Sequence, residues 1–350
     1  MNCVIFGAGA IGKAVAGYVF NRLGASISFI DASMDVVRDI TKRHGYRIYS
    51  EHNSVENITG VSAFMSGSDA ANCALLNADC IVTAVGSNAI KYVAKDIALA
   101  RKRQNQTGIF LFENDVEAKN TIAATLAENG LPAGNIYKAS IERMSRSISY
   151  DGVFDVFSEK FIPVILENNV LHTYPSLDEP QLFRFVDSLE RFYARKLYTN
   201  NMGHAVAGFW GTEQGCTTLY EAMHNPIVSN KVASALSETA QMMVSEYGFS
   251  FAEMDTHVAD LINHRYCIEG MDDPLERLIR DPKRKLGNDE RLVGAANLCL
   301  KNGISPDTIV ETIALALHKI KDDMSEQELI CKTCGLKRDD KLTLMIQQAI

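Results

Sequence analysis

Apolar positions change rhythm near the middle of this 350-residue chain. In the first half, short apolar runs alternate with longer amphipathic stretches. In the second, apolar residues recur at intervals of three and four. The run "CVIF" at 3–6 leads into glycines at 7, 9 and 12 and then into small residues in helical rhythm, which predicts strand, glycine turn and helix. Further strands are expected within 25–33, 78–86, 108–114 and 135–143, separated by helical segments such as 88–103. Such alternation implies a parallel, doubly wound α/β sheet. Residues 153–172 mix β-branched and aromatic side chains with a proline, and read as short strands extending the same domain. Two prolines and several acids at "YPSLDEPQ" interrupt the pattern, so the boundary is expected near 180.

Beyond it, helix dominates: one long stretch from Asp178-Glu179-Pro180 through "RKLYTNNMGHAVAGFWG" (195–211), then 228–247, 252–266, 289–302 and 306–320, the last opening at Ser305-Pro306. The expected architecture is a Rossmann-like domain over 1–180 followed by a mainly α-helical domain over 181–350. The sequence contains no internal repeat and no low-complexity tract.

Composition narrows the function. At 47% hydrophobic, the chain is apolar enough for two cores. A net charge of -8 argues against a nucleic-acid partner, since neutralising a phosphate backbone needs a basic excess. The start at "NCVIFGAG" has no basic leader, and no apolar run approaches the roughly 20 residues that span a bilayer. The eight cysteines lack a framework spacing, so a reduced, cytoplasmic protein is expected. Cys331-Lys332-Thr333-Cys334 has no second pair to complete a zinc site, so no metal is expected and the two thiols are placed on a terminal helix or loop. Met242, Met243 and Trp210 read as core.

The glycine turn carries the first chemistry. Gly7 permits the tight turn, Gly9 lets a pyrophosphate approach the backbone, and Gly12 lets the helix pack closely, with Ala10 and Ile11 opening the helix whose N-terminus would face the phosphates. Asp31 ends the next strand, about 20 residues on, where an acid accepts ribose hydroxyls and repels a 2'-phosphate. This favours NAD over NADP. The alternative for Asp31 is a turn or cap role. Val85, Gly86, Glu113 and Asn114 fall at strand ends, the cofactor crevice of a doubly wound sheet, although Gly86 could simply end its strand and Asn114 cap a helix.

In the second half, Lys196, Asn200 and His204 lie at i, i+4 and i+8, within about 80° on an α-helix, and Asn201 lies about 60° from His204. The helix then runs into the apolar Ala205–Trp210. These polar groups either line a cleft or make internal contacts, since an unpaired buried lysine would be costly.

Lys196, four residues, Asn201, two residues, His204 form the K-x4-N-x2-H signature, and with it the chain resembles the polyol-specific long-chain dehydrogenases and reductases. "FGAGAIGKA", "VTAVG", "FEN" and "DDPLERLIRDPKRKLGNDERL" extend the likeness along most of the chain, nearest to the branch that acts on mannitol 1-phosphate. The resemblance implies NAD-linked, zinc-independent oxidation of a secondary alcohol. Lys196 would be the general base, with Asn114, Asn201 and His204 donating to the developing alkoxide and Asn200 structural. Burial and the positive charge of NAD+ would both lower the lysine pKa.

The substrate class implied is a polyol or keto-sugar, with mannitol 1-phosphate and fructose 6-phosphate first. Hexitols or hexuronates without phosphate, or a catalytically silent dinucleotide-binding protein, are the alternatives. "RDPKRKL" resembles the R-x-P-x-R-K-L stretch of sugar-phosphate enzymes, so Arg280, Lys283, Arg284 and Lys285 would grip a phosphate or else form a solvated basic turn. The chain departs from the family pattern in four places. Tyr193 and Ala194 replace an acidic residue before the lysine, Arg265-Tyr266 stands where R-F is usual, Glu142-Arg143 replaces Asp-Arg, and the C-terminus is shorter. Monomer and small homo-oligomer are both compatible with the sequence.

Overall fold

A computed structural model describes residues 1–102, 107–113, 117–320 and 324–350. They form two compact units, Met1–Leu189 and Glu190–Ile350.

The strands of the first unit are β1 (Asn2–Phe6), β2 (Ser26–Asp31), β3 (Gly45–Ser50), β4 (Ser54–Thr59), β5 (Val61–Met65), β6 (Cys80–Thr83), β7 (Gly108–Leu111), β8 (Ile136–Ser140), β9 (Ser145–Tyr150), β10 (Val153–Ser158), β11 (Val164–Glu167) and β12 (Phe183–Val186). Eight of them make one sheet in the order β5-β2-β1-β6-β7-β8-β11-β12, parallel from β5 to β8. β11 runs antiparallel to β8, and β12 parallel to β11. The order turns back between β1 and β6, the switch point at which doubly wound sheets bind ligands. Helices cover both faces, which is why central strands such as Cys80–Thr83 and Gly108–Leu111 are buried throughout.

The edge strand β12 corrects the sequence reading, which placed Phe183–Val186 inside a helix and the boundary near 180. Phe183 is buried and Arg184 exposed, and the segment pairs with β11 in register Val164↔Phe183. The sheet therefore keeps the chain to Leu189, and the helix begins at Glu190.

A smaller sheet, β4-β3-β10-β9, goes beyond the sequence expectation in its β3–β4 hairpin. It is fastened to the helix after the glycine turn by buried polar groups. Tyr46 Oη donates to Lys13 O at 2.8 Å, Arg143 donates to Ala14 O, and the Lys13 amine donates to Phe154 O. Arg43 bridges Asp39 at 2.5 Å and Asp155 at 2.8 Å beside them.

The second unit is helical. Pro226–Tyr247 is its 22-residue spine, started by Asn225, whose side chain accepts from Ile227 N and Val228 N, and stopped by Gly248 in the left-handed region at φ 66°. Against it pack the helices Met202–Glu213, Phe251–Asn263, Val293–Lys301 and Asp307–His318. Thr218–Glu221, Ser250–Glu253 and Ser325–Glu328 close reciprocal capping boxes at three other helix starts. Cys331 and Cys334 lie on the helix Glu326–Cys334, and all eight cysteines are free thiols. Among the described residues no helix is long and apolar enough to cross a membrane.

Candidate active site

The glycine turn sits at the end of β1. Gly7 has φ 91°, a left-handed value, and a Cβ there would come within 2.4 Å of Ala84 O. A Cβ on Gly12 would lie 1.8 Å from Gly7 O, so the helix packs on the turn only because that atom is missing. Gly9 differs, since its Cβ would meet nothing within 4 Å. Packing therefore does not require glycine at 9. An approaching ligand would, because that open space lies beside the first N–H groups of the helix, which lack intrahelical partners. Lys13 N, bonded to Gly9 O at 3.0 Å, closes the first turn above Ala10 and Ile11.

Asp31 proves to hold the turn as well as face it. One carboxylate oxygen accepts from Ala8 N at 2.7 Å and the other from Ser33 N at 2.8 Å. A carboxylate has about four acceptor positions, so two remain for ribose hydroxyls. Glu113 has a bracing role. It is buried, and its two oxygens accept from Val85 N at 2.9 Å and Gly86 N at 2.8 Å. It therefore shapes the loop in which Gly86, at φ 79°, starts the helix Ser87–Arg101. Asn114 lies outside the described residues.

The second unit opens with one continuous helix, Glu190–Glu213, interrupted by a π turn over Lys196–Asn201. This alters the facing expected for the polar cluster. On an α-helix, residues five apart diverge by about 140°. In π geometry the hydrogen bond runs from i to i+5 and the turn is wider, so the divergence between Lys196 and Asn201 narrows. His204, three further along regular helix, then falls about 60° away. Burial follows this pattern. Lys196, Asn201 and His204 are half-buried, whereas Tyr198, Thr199, Asn200, Met202, Gly203 and Ala205 are buried. The three signature residues thus share partial exposure, while Asn200 is buried.

Buried partners hold the π turn. Thr199 Oγ1 bonds Arg195 O at 2.5 Å and His257 Nε2 at 2.8 Å, and Tyr266 Oη donates to Asn200 O at 2.9 Å. The His204 ring lies against the Tyr266 ring with centroids 4.7 Å apart, and its Nε2 is sealed from water without a hydrogen-bond partner. Burial pushes the His204 pKa down to about 3. Asp273 opposes that shift, and Arg277, Arg265 and Arg291 add to it. The imidazole is neutral at any physiological pH, with one N–H to give.

The basic turn is largely committed. The Lys285 amine is buried, donates to Arg280 O and is brought down to about 8 by burial and by Arg291 and Arg284. Arg284 is shared between Asp281 at 3.1 Å and Glu290 at 3.2 Å, and the Arg280 side chain is exposed.

Three features had no place in the sequence reading: the π turn, the aromatic support from Tyr266 and the bracing role of Glu113. A signal for the first was present, because a K-x4-N spacing of five is out of phase with an α-helix.

Comparison with known proteins follows the same division. The mannitol dehydrogenase Rossmann domain matches residues 1–179, and the mannitol dehydrogenase C-terminal domain matches residues 188–342. Mannitol-1-phosphate 5-dehydrogenase of Shouchella clausii is 30% identical over 94% of this chain and 91% of its own. That of Coccidioides immitis is 27% identical over 100% and 97%. Among solved structures, D-sorbitol dehydrogenase in substrate-free form aligns with a TM-score of 0.77 at 12% identity, covering 100% of this chain and 91% of that one. Pseudomonas fluorescens mannitol 2-dehydrogenase, in complex with NAD and D-mannitol, aligns at 0.72 and 12% with the same coverage. At such identity these two speak for the fold alone. With family matches that together span nearly the whole chain, the protein belongs to the mannitol dehydrogenase family.

Proposed function

We propose that this protein is an NAD-dependent polyol-phosphate dehydrogenase that interconverts mannitol 1-phosphate and fructose 6-phosphate without a metal. The observation that supports the reading is the π turn within the K-x4-N-x2-H stretch, where Lys196, Asn201 and His204 stay half-buried among buried neighbours. The relatives named above supply the substrate.

The first unit fits the cofactor. Gly9 leaves room for a pyrophosphate, the helix beginning at Ala10 offers N–H groups to it, and Asp31 retains acceptor capacity for a ribose. Bound NAD supplies or takes the hydride at the carbinol carbon. The second unit does the proton work. Lys196 Nζ takes the hydroxyl proton as the ketone forms and returns it in reduction. Asn201 and the neutral His204 donate hydrogen bonds to the oxygen as its charge develops, with Asn114 assigned the same task by the family signature.

Free cysteines throughout and a net charge of -8 support a soluble protein of a reducing, cytoplasmic compartment with a small-molecule partner and no nucleic acid. A second reading, a hexitol or hexuronate substrate without phosphate, is favoured by the basic turn, where Arg284 and Lys285 are engaged within the protein, while Arg280 is exposed. The deciding measurement is NADH oxidation at 340 nm with fructose 6-phosphate, fructose, fructuronate and tagaturonate. Fructose 6-phosphate should be preferred at least a hundredfold in kcat/KM. Equal efficiency with fructose would move the assignment to the second reading, and no turnover with any of the four would remove the enzymatic one.

A further inference from the structure

We propose that Tyr266 is a positioning residue for catalysis: it locks the π turn through Asn200 and fixes the plane of the His204 imidazole. The inference rests on the reaction assigned above for its kinetic consequences and on packing alone for its structural ones.

Two independent contacts converge on this side chain, which is 1% exposed. Its hydroxyl donates to Asn200 O at 2.9 Å, inside the π turn that carries Lys196 and Asn201. Its ring lies against His204 at 4.7 Å between centroids, tilted by 40°. A histidine whose Nε2 has no hydrogen-bond partner cannot be oriented through that atom, so the ring face sets its plane. Gly203 makes the arrangement possible, because a Cβ there would come within 2.5 Å of Tyr266 Oη and 3.1 Å of Cε2. Tyr266 itself is borne on the short turn Arg265–Cys267 after the helix Phe251–Asn263, and His257 of that helix bonds Thr199 in the same π turn. One element therefore grips adjacent residues of the turn.

The test compares full-length wild type with Tyr266→Phe, Tyr266→Leu, Gly203→Ala and the double variant Gly203→Ala/Tyr266→Phe. Tyr266→Phe removes one buried hydrogen bond and should lower kcat for fructose 6-phosphate about tenfold with KM within about twofold. Tyr266→Leu also removes the ring face and should lower it about a hundredfold. With 4-deuterated NADH, the isotope effect on kcat should rise in both, because a misplaced donor slows hydride transfer itself. Gly203→Ala should be at least as impaired as Tyr266→Phe, and the double variant should recover to the level of Tyr266→Phe, since the conflict closest to the added methyl is gone.

Loss of activity with an unchanged isotope effect, and without that recovery, would reduce Tyr266 to a core residue and overturn the proposal. A second readout does not need turnover: in ¹⁵N-histidine-labelled protein, the ring signals assigned to His204 should shift in both Tyr266 variants. If the wild type reduces no ketose, the reaction assignment fails and these signals still decide the packing claim. Unmoved His204 signals in folded Tyr266→Leu would sink it.

Discussion

Each unit contains a helix with a π turn, and the two turns are put to different uses. Gly12–Gly17 lies in the helix after the glycine loop, and all six of its residues are buried. Lys196–Asn201 lies in the first helix of the other unit and keeps a partly open face. Both give a carbonyl to a buried tyrosine, Lys13 O to Tyr46 and Asn200 O to Tyr266. Both place a glycine under that hydroxyl, with a Cβ on Gly17 falling 2.1 Å from Tyr46 Oη and one on Gly203 falling 2.5 Å from Tyr266 Oη. The lysines diverge. Lys13 is 1% exposed and spends its amine on Phe154 O, whereas Lys196 stands on the half-buried face. A widened turn is thus fully packed in one place and keeps a partly open face in the other. What separates the two is whether the lysine beside it is sealed.

The comparison breaks first at that lysine. Lys196→Ala should cost at least about a thousandfold in turnover while NADH affinity, read by fluorescence titration, stays within about threefold. A variant keeping a tenth of the activity would take Lys196 out of the base role.

Next come the glycines. Gly12→Ala should unfold or strongly destabilise the first unit, because nothing can yield around Gly7 O, while Gly9→Ala should melt like the wild type and bind NADH roughly ten to a hundred times more weakly. If Gly9→Ala binds NADH normally, the open space beside it is not the pyrophosphate site.

Smaller effects separate the two asparagines. Asn201→Ala should lower kcat about a hundredfold with little change in thermal midpoint. Asn200→Ala, removing a buried acceptor that Thr199 Oγ1 meets at 3.1 Å, should lower the midpoint by a few degrees and leave kcat within about fivefold. The reverse pattern would mean that the π turn faces the other way in solution.

The smallest effects are in proton linkage. Folded His204 titrates near pH 3 and an unfolded histidine near 6.5, so between those values the unfolded chain binds the extra proton and stability falls as pH falls. Against wild type, His204→Gln should lose less stability between pH 6.5 and 4 in urea titrations. Lys13, brought down to about 8 by burial against the opposing pull of Asp39 and Asp155, acts in the alkaline range. From pH 8 to 10.5 the unfolded chain holds the proton that the folded one has released, so wild type should gain stability over Lys13→Met as pH rises. Parallel curves would mean that the buried amine is not perturbed.

Much of this was legible in the sequence because local chemistry carried it. The glycine spacing, the acid closing the second strand and the strand–helix alternation each follow from short-range rules, and the switch point between β1 and β6 follows from them in turn. The failures have a common physical source in partners distant along the chain. Phe183–Val186 matches a helical apolar spacing and becomes a strand only because β11 offers it an edge. The bracing of the Val85–Gly86 loop by Glu113 could not be read because those amides lie 28 and 27 residues before it. Asn200 seemed to face with Lys196 because an α-helix was assumed, whereas it lies buried in a π turn that is held by Tyr266, 66 residues on.

The pairing of a missing methyl with a phenol has a consequence for how such a chain can drift. At 17 with 46, and at 203 with 266, enlarging the glycine alone collides with the hydroxyl opposite it. Mutant libraries should therefore accept a larger residue at 17 or 203 only alongside a smaller one at 46 or 266.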